Sequence, residues 1–189
     1  MLPVRELVFG VLAVATAGVA SPALADGNLT FLIDGDTFGV SFTITNSSTN
    51  SEKVVGFGVP LKSPFAFDTV NGGFGVDDSA AFDAIARSTG YTGPASFADG
   101  ATSLAFSFNN FDAGEAFTWY IDVDQPNLAT VLGSELIGST GYADFGNGLR
   151  GVGTFIAYGT QGSQFDMLRR KQSVRLLQRG RGVQGMNLI

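Results

Sequence analysis

The sequence predicts an all-β domain, an antiparallel β-sandwich with one short helix, and three observations support this. The 189 residues amount to one domain's worth of chain, and 44% of them are hydrophobic, which is enough apolar material for a core. Apolar and polar residues alternate in several short segments, as they do in strands with one buried face. Turn-forming residues, above all the 26 glycines, separate these segments at the spacing typical of sandwiches.

The N-terminus has the features of a secretory signal peptide. Arg5 precedes an apolar run over 7–20, and Ala23 and Ala25 match the A-x-A cleavage pattern, so we expect the mature chain to begin at Asp26. No later segment approaches the roughly 20 apolar residues that a membrane helix needs. We therefore expect a secreted, periplasmic or cell-surface protein with no transmembrane segment after signal removal. The predicted organisation is a signal peptide over 1–25, a sandwich domain over 26–165 and a basic tail, disordered or weakly helical, over 166–189.

Four segments alternate as half-buried strands do, and a fifth, over 151–158, is expected to be covered on both faces. In the second segment, Gly56 and Gly58 indicate a β-bulge or a closely approaching neighbour, although a simple small outer face would read the same way. Trp119 lies on the apolar face of the fourth segment and is expected in the core. These strands suit a jelly-roll or immunoglobulin-like sandwich. The apolar positions are Val40, Phe42 and Ile44; Val55, Phe57 and Val59; Leu104, Phe106 and Phe108; Phe117, Trp119, Ile121 and Val123; and Val152, Ile156 and Tyr158.

One stretch departs from this period of two. Residues Asp77 to Ser79 are typical helix-capping residues, and Phe82, Ile85 and Ala86 fall on one helical face. Gly90 follows where such a helix would end. The stretch therefore predicts a helix of about two to three turns.

Composition and charge exclude several classes of chemistry. The chain has no Cys and no His, which excludes disulfides, thiolate catalysis, Ser-His catalysis and His-ligated zinc. Acidic residues outnumber basic ones by 17 to 11, and six of the basic residues follow residue 165. Because an acidic body repels phosphates, nucleic acid is not an expected partner. The expected partners are instead cations, neutral glycans and envelope or matrix proteins.

The end of the fourth strand segment is the candidate site. Alternation places Tyr120, Asp122 and Asp124 on one face, with the α-carbons of the two aspartates roughly 6.5 to 7 Å apart. Calcium takes six to eight oxygen ligands, so backbone carbonyls, Asn127 or an acidic loop would have to complete the site. The alternative is that both carboxylates are solvated and mark the strand end, where they discourage edge pairing.

The same residues admit two further interpretations. Tyr120 beside the carboxylates suits stacking on a sugar ring. A glycoside hydrolase would use the two aspartates, or Glu115 with one of them, as acid and base, but nothing in the sequence separates their pKa values. We accordingly expect no catalytic residues.

Several short motifs resemble the β-sandwich domains of exported bacterial proteins, notably those that carry a PEP-CTERM sorting tail. A Gly-Glu and aromatic strand runs into an Asp-x-Asp end, and a loop, a G-x-x-L-x-G-x-T strand and a glycine hairpin follow. The resemblance implies an exported sandwich whose molecular role is mostly unassigned in that group. We do not expect the sorting tail itself, since the last proline is Pro126 and charged residues are spread over 166–181, where that tail would have an apolar span. The segments that carry the resemblance are 104–108, 111–115, 117–124, 131–140 and 145–151.

Taken together, these features lead us to expect an exported, non-catalytic sandwich module of the cell envelope or extracellular matrix, structural or adhesive in role. The alternatives are a calcium-assisted carbohydrate-binding module and, third, a hydrolase with paired carboxylates.

Overall fold

The computed structural model describes residues 27–49, 51–75, 78–85, 89–126 and 130–168, without the side chains of 166 and 168. Strands dominate this part of the chain, and the one helical element in it is a 3-10 helix at Gly133–Leu136. The strands are β1 (Leu29–Asp34), β2 (Phe42–Asn46), β3 (Val54–Pro60), β4 (Ala66–Asp68), β5 (Asp83–Ala84), β6 (Tyr91–Gly93), β7 (Ser103–Phe111), β8 (Ala116–Tyr120), β9 (Asp122–Asp124), β10 (Thr140–Phe145), β11 (Arg150–Tyr158) and β12 (Gly162–Leu168).

Ten of these strands form one sheet in the order β5-β8-β2-β1-β12-β11-β10-β3-β7-β6, and β4 pairs with β9 in a small second sheet. All the described pairings are antiparallel. The all-β, antiparallel fold class predicted from the alternation is thus confirmed.

The large sheet curls until its two ends pack against each other. The Phe106 ring on β7 lies 4.8 Å from the Trp119 ring on β8, and the Tyr91 ring on β6 lies 4.9 Å from the Phe117 ring, also on β8. These strands stand near opposite ends of the sheet order, so their contact can form only if the sheet folds back on itself. The sandwich-like core is therefore enclosed by one curled sheet.

Aromatic side chains fill that core. Trp119 is fully buried, as expected, and its ring lies within 6.2 Å of five phenylalanine rings. Rings at these separations add to the free energy of burial through tilted and edge-on contacts. The five phenylalanines are Phe31, Phe42, Phe57, Phe106 and Phe117.

The glycines of β3 have the role that the sequence indicates. The β3–β7 register shifts between Val54 and Gly56, which is a β-bulge. Gly58 lies directly beneath the Tyr142 ring, where a β-carbon would overlap the ring atoms. The guanidinium of Arg150 stacks on the ring, 4.1 Å from its centroid. A glycine at 58 is therefore required by the approach of a neighbouring side chain.

The helix predicted near residue 82 is not formed. Asp83 and Ala84 form β5, which pairs with β8, and residues 78–82 have no regular structure. The Phe82 ring lies 5.0 Å from the Phe97 ring and 5.7 Å from the Phe106 ring. This aromatic contact and the pairing with β8 hold the backbone extended and outweigh the local helical preference.

The last described strand reaches past the predicted end of the domain. β12 runs to Leu168, so the boundary expected after 165 moves by at least three residues; 169–189 and the signal peptide, with its cleavage point, lie outside the described residues. Within the described ranges, no helix is long and apolar enough to cross a membrane.

Candidate metal centre

The candidate site forms where the chain leaves the large sheet. β8 ends at Tyr120, Ile121 is fully buried, and the next three residues pair with β4 as β9. In that register Asp122 stands directly opposite Asp68, and Asp124 lies two residues further along β9. Residues opposite each other, or two apart along a strand, share a face of the sheet. All three aspartates therefore project from the same face of the small sheet.

The three carboxylates converge in the interior. One oxygen from each of Asp68, Asp122 and Asp124 lies within 4.8 Å of the others. Their exposed fractions are 0%, 1% and 0%. Three carboxylates this close, and out of water, repel one another unless protons or a cation neutralise them.

Four of the six carboxylate oxygens accept no hydrogen bond from an N–H or hydroxyl group. They are Oδ2 of Asp68, Oδ2 of Asp122 and both oxygens of Asp124. Buried polar atoms are nearly always paired, so an unpartnered group indicates something further that satisfies it. Neither ion pair in the described part of the chain, Lys53–Asp112 or Arg150–Asp144, involves these carboxylates. A hard cation bound by oxygen is the partner that this donor set fits.

A turn after β1 supports one side of the cluster. The Thr37 hydroxyl, itself fully buried, donates a 2.9 Å hydrogen bond to Oδ1 of Asp122 and lies 3.0 Å from the Val123 carbonyl oxygen. In addition to burial, which is the larger cause, the charge of the neighbouring Asp36 carboxylate raises the pKa of both Asp122 and Asp124. Asp36 thus strengthens the attraction of the cluster for a cation.

A loop over residues 69–75, here called the closing loop, lies against the other side. At Gly75, a β-carbon would overlap Oδ2 of Asp124 and Oδ2 of Asp68. The backbone of Gly75 therefore packs directly on two of the unpartnered oxygens. Only glycine leaves room for this approach.

Burial is the main influence on the protonation of these acids. It raises the pKa of Asp122 to about 6 and, together with the charge of Asp122, that of Asp124 to about 7. Burial and the nearby Asp99 carboxylate also raise the pKa of Asp68. A bound cation would reverse this effect, because an opposite charge favours the ionised carboxylate.

Asp122 and Asp124 share a face, as predicted. Because both are buried, they are not the solvated acids at a strand end that the other interpretation describes. Tyr120 remains in the large sheet opposite Asp83 and is 39% exposed, so it lies at the surface while the aspartates lie in the interior. The acidic residue that the fold supplies is Asp68, whereas Asn127 lies outside the described residues.

The sequence did not indicate Asp68, because its short strand shows no alternation of polar and apolar residues. Ala66, Phe67 and Asp68 are all buried, and their partners follow more than 50 residues later in the chain. Glu115 is not in the cluster: it precedes β8, and its carboxylate accepts the backbone N–H of Asp112.

Comparisons of the chain with models of protein families, with curated proteins and with solved structures gave no match.

Proposed function

We propose that this protein is an exported, non-catalytic all-β module, structural or adhesive in the cell envelope or extracellular matrix, whose fold is held by a calcium ion. Asp68, Asp122 and Asp124 would bind the ion. The observation that carries the proposal is that these carboxylates are buried together while four of their oxygens lack partners.

Calcium is the ion that best suits this donor set. The ligands are all carboxylate oxygens, which favours hard cations over zinc or copper. Magnesium usually keeps several waters and demands octahedral geometry, whereas calcium accepts six to eight oxygens in flexible arrangements. The four unpartnered oxygens supply most of a six-ligand shell, and backbone carbonyls or water would complete it.

The segments that form the site are far apart in the sequence, and this supports a structural role for the ion. The cluster and its supports belong to the turn at 36–37, to β4 with the closing loop, and to β9. An ion held by these segments would cross-link parts of the chain that are distant in sequence. Because the unfolded chain lacks the assembled site, the binding energy becomes folding energy.

Burial also separates this proposal from the two alternatives. In calcium-assisted carbohydrate binding, a sugar hydroxyl would have to reach the ion, yet each aspartate is at most 1% exposed. A glycoside hydrolase would need two carboxylates facing an open cleft. Either activity would require the closing loop to move aside.

Thermal unfolding tests the proposal directly. Purified protein is unfolded with excess calcium, with magnesium and with a chelator, and the Asp122→Asn/Asp124→Asn variant is treated identically. We expect calcium at a hundredfold excess over its Kd to stabilise the wild type by about 2.7 kcal/mol and to leave the double variant unchanged. Asp112→Asn is the matched control, because Asp112 pairs with Lys53 at the surface and should retain the full calcium response.

Two results would count against the proposal. An unfolding temperature of the wild type that is the same with calcium and with chelator would refute the ion. Glycan binding that is lost on chelation would favour the carbohydrate-binding alternative. N-terminal sequencing of the secreted product, expected to begin at Asp26, tests export separately.

A further inference from the structure

We infer that the closing loop encloses the bound ion and that Asp99 is the positioning residue that holds this loop shut. The inference rests on the calcium binding proposed above and adds what regulates that site. Ion exchange would then require the loop to open, and the enclosed ion would keep few water molecules.

The Asp99 carboxylate binds the backbone of the closing loop. Oδ1 of Asp99 accepts the backbone N–H of Thr69 at 2.9 Å. Burial alone would raise the pKa of Asp99, but the N–H of Thr69, the adjacent Asp68 carboxyl and the N–H groups of Phe74 and Val70 together lower it below the ordinary value. One carboxylate thus interacts with the first two residues of the loop and with its sixth.

The loop packs so tightly on Asp99 that one position excludes any side chain. At Gly73, a β-carbon would overlap Oδ2 of Asp99 and lie 2.6 Å from the Val70 carbonyl oxygen. The N–H of Gly73 also donates to that carbonyl, at 2.7 Å. The loop is therefore folded back on itself around the Asp99 carboxylate.

Asp99 itself stands on a fixed support. The neighbouring Gly100 donates its N–H to the Phe67 carbonyl at 2.9 Å, and Phe67 donates its N–H to the Ala101 carbonyl at 2.8 Å. These bonds attach the Asp99 turn to β4, the strand that carries Asp68. The loop anchor and one of the proposed ligands are thus built on the same rigid segment.

At its far end the loop reaches the proposed ion. Gly75 lies against unpartnered oxygens of Asp68 and Asp124, the only described glycine in contact with the cluster. With the loop in this position, the carboxylates have at most 1% exposure. Water can reach the ion freely only if Gly75 moves away, and Asp99 is the group that opposes this movement.

Terbium luminescence in the full chain tests this arrangement. Tb³⁺ replaces Ca²⁺ at oxygen sites, and its emission lifetimes in H₂O and D₂O give the number of bound waters. Stopped-flow mixing with a chelator gives the release rate. The variants are Asp99→Ala, which removes the anchor; Asp99→Asn, which keeps an oxygen that accepts the Thr69 N–H; and Gly73→Ala, which displaces the loop.

We expect the wild type to hold about two waters or fewer, given calcium-like coordination by six to eight oxygens. Asp99→Ala and Gly73→Ala should each add at least one water and accelerate release about tenfold. Asp99→Asn, which keeps one of the two acceptor oxygens, should lie between the wild type and Asp99→Ala. Val70→Ala is the matched control in the same loop. The Val70 side chain is 56% exposed, and the bond of this residue to Asp68 is made by its backbone N–H, which alanine keeps.

The failures of the two proposals are distinguishable. Tb³⁺ that does not bind the wild type refutes the ion and the loop together. Tb³⁺ that binds, but with the same water count and release rate in Asp99→Ala, refutes the loop alone. A loss of affinity in Asp99→Asn as large as in Asp124→Asn would instead make Asp99 a direct ligand and overturn its positioning role.

Discussion

The Thr37 hydroxyl and Oδ1 of Asp122 are joined by a buried hydrogen bond of 2.9 Å across 85 residues of sequence. The same hydroxyl lies 3.0 Å from the Val123 carbonyl and 3.4 Å from the Val123 N–H. One small side chain therefore fixes both the carboxylate and the backbone of β9. It also occupies Oδ1 of Asp122, which leaves Oδ2 without a hydrogen-bond partner.

Thr37→Val should destabilise the protein by about 1 to 3 kcal/mol, because it removes the hydrogen bond of a buried charged group. Valine has nearly the shape of threonine, so packing is preserved and the lost hydroxyl is isolated. Urea unfolding measures the effect. Thr37→Ser should recover most of the stability, and a valine variant as stable as the wild type would show that the hydrogen bond has no net value.

Gly75→Ala should abolish the stabilisation by calcium. Its β-carbon would occupy the space in front of the Asp68 and Asp124 carboxylates, so either the loop or the carboxylates must move. Calcium titration monitored by the unfolding temperature is the measurement. Gly39→Ala is the control, since no atom lies within 4 Å of its β-carbon position and the calcium response should survive.

Metal-free protein should lose stability as pH rises from about 4 to about 7. The folded-state pKa values of Asp122 and Asp124, about 6 and about 7, exceed the ordinary value of about 3.9 in the unfolded chain. The folded state therefore binds more protons in this window, and its advantage disappears as they dissociate. Urea unfolding in chelator should show a decrease on the order of 5 kcal/mol.

Calcium should act in the opposite direction across the same window. Because the ion binds ionised carboxylates, its stabilising effect should grow as pH rises. The Asp122→Asn/Asp124→Asn variant should lose both dependences. A wild-type stability in chelator that increases steadily from about pH 4 to about pH 7 would contradict the protonation argument.

Asn46→Ala should destabilise the protein without changing its calcium response. Asn46 is fully buried at the end of β2 that lies away from the Thr37 turn. Its amide nitrogen donates to the carbonyls of Glu52 and Phe111, both at 2.9 Å. Loss of both hydrogen bonds should lower the free energy of unfolding by about 2 to 4 kcal/mol. The unfolding temperature should fall by the same amount with calcium and with chelator.

The alternation predicted β2, β7 and β8, each of which has one face on the core, but it failed in β11, where Val152, Ile156 and Tyr158 are exposed. In β7 the apolar Leu104, Phe106 and Phe108 are buried between exposed neighbours, because each faces the interior of the curled sheet. β12 was missed, although Phe165 is buried, because its polar residues resemble the charged segment that follows. Period two therefore identifies a strand only where the alternating residues differ enough in polarity.

The site could be predicted only in part, for a different reason. Asp122 and Asp124 are neighbours in sequence, and their common face follows from strand geometry. Asp68 joins them through the β4–β9 pairing, a contact between two three-residue strands. Segments that short carry no periodic signal, and the burial of their charges goes against residue preference. The coincidence of three buried acids is a property of the fold rather than of any one segment.

The curled sheet ends in two very short strands, and this bears on self-association. β5 has two residues and β6 has three, and Pro94, which has no N–H to donate, follows β6 directly. Free strand edges are templates on which other chains can add and begin to aggregate, so short edges give little to pair with. The phenylalanine-rich β7, with nine residues, lies inside this edge: β3 pairs with it from Ser103 to Phe111, and β6 pairs with it at Ser107 and Phe108. Although the chain has 17 phenylalanines, short edge strands thus limit the pairing of its most aggregation-prone strands with other copies of the chain.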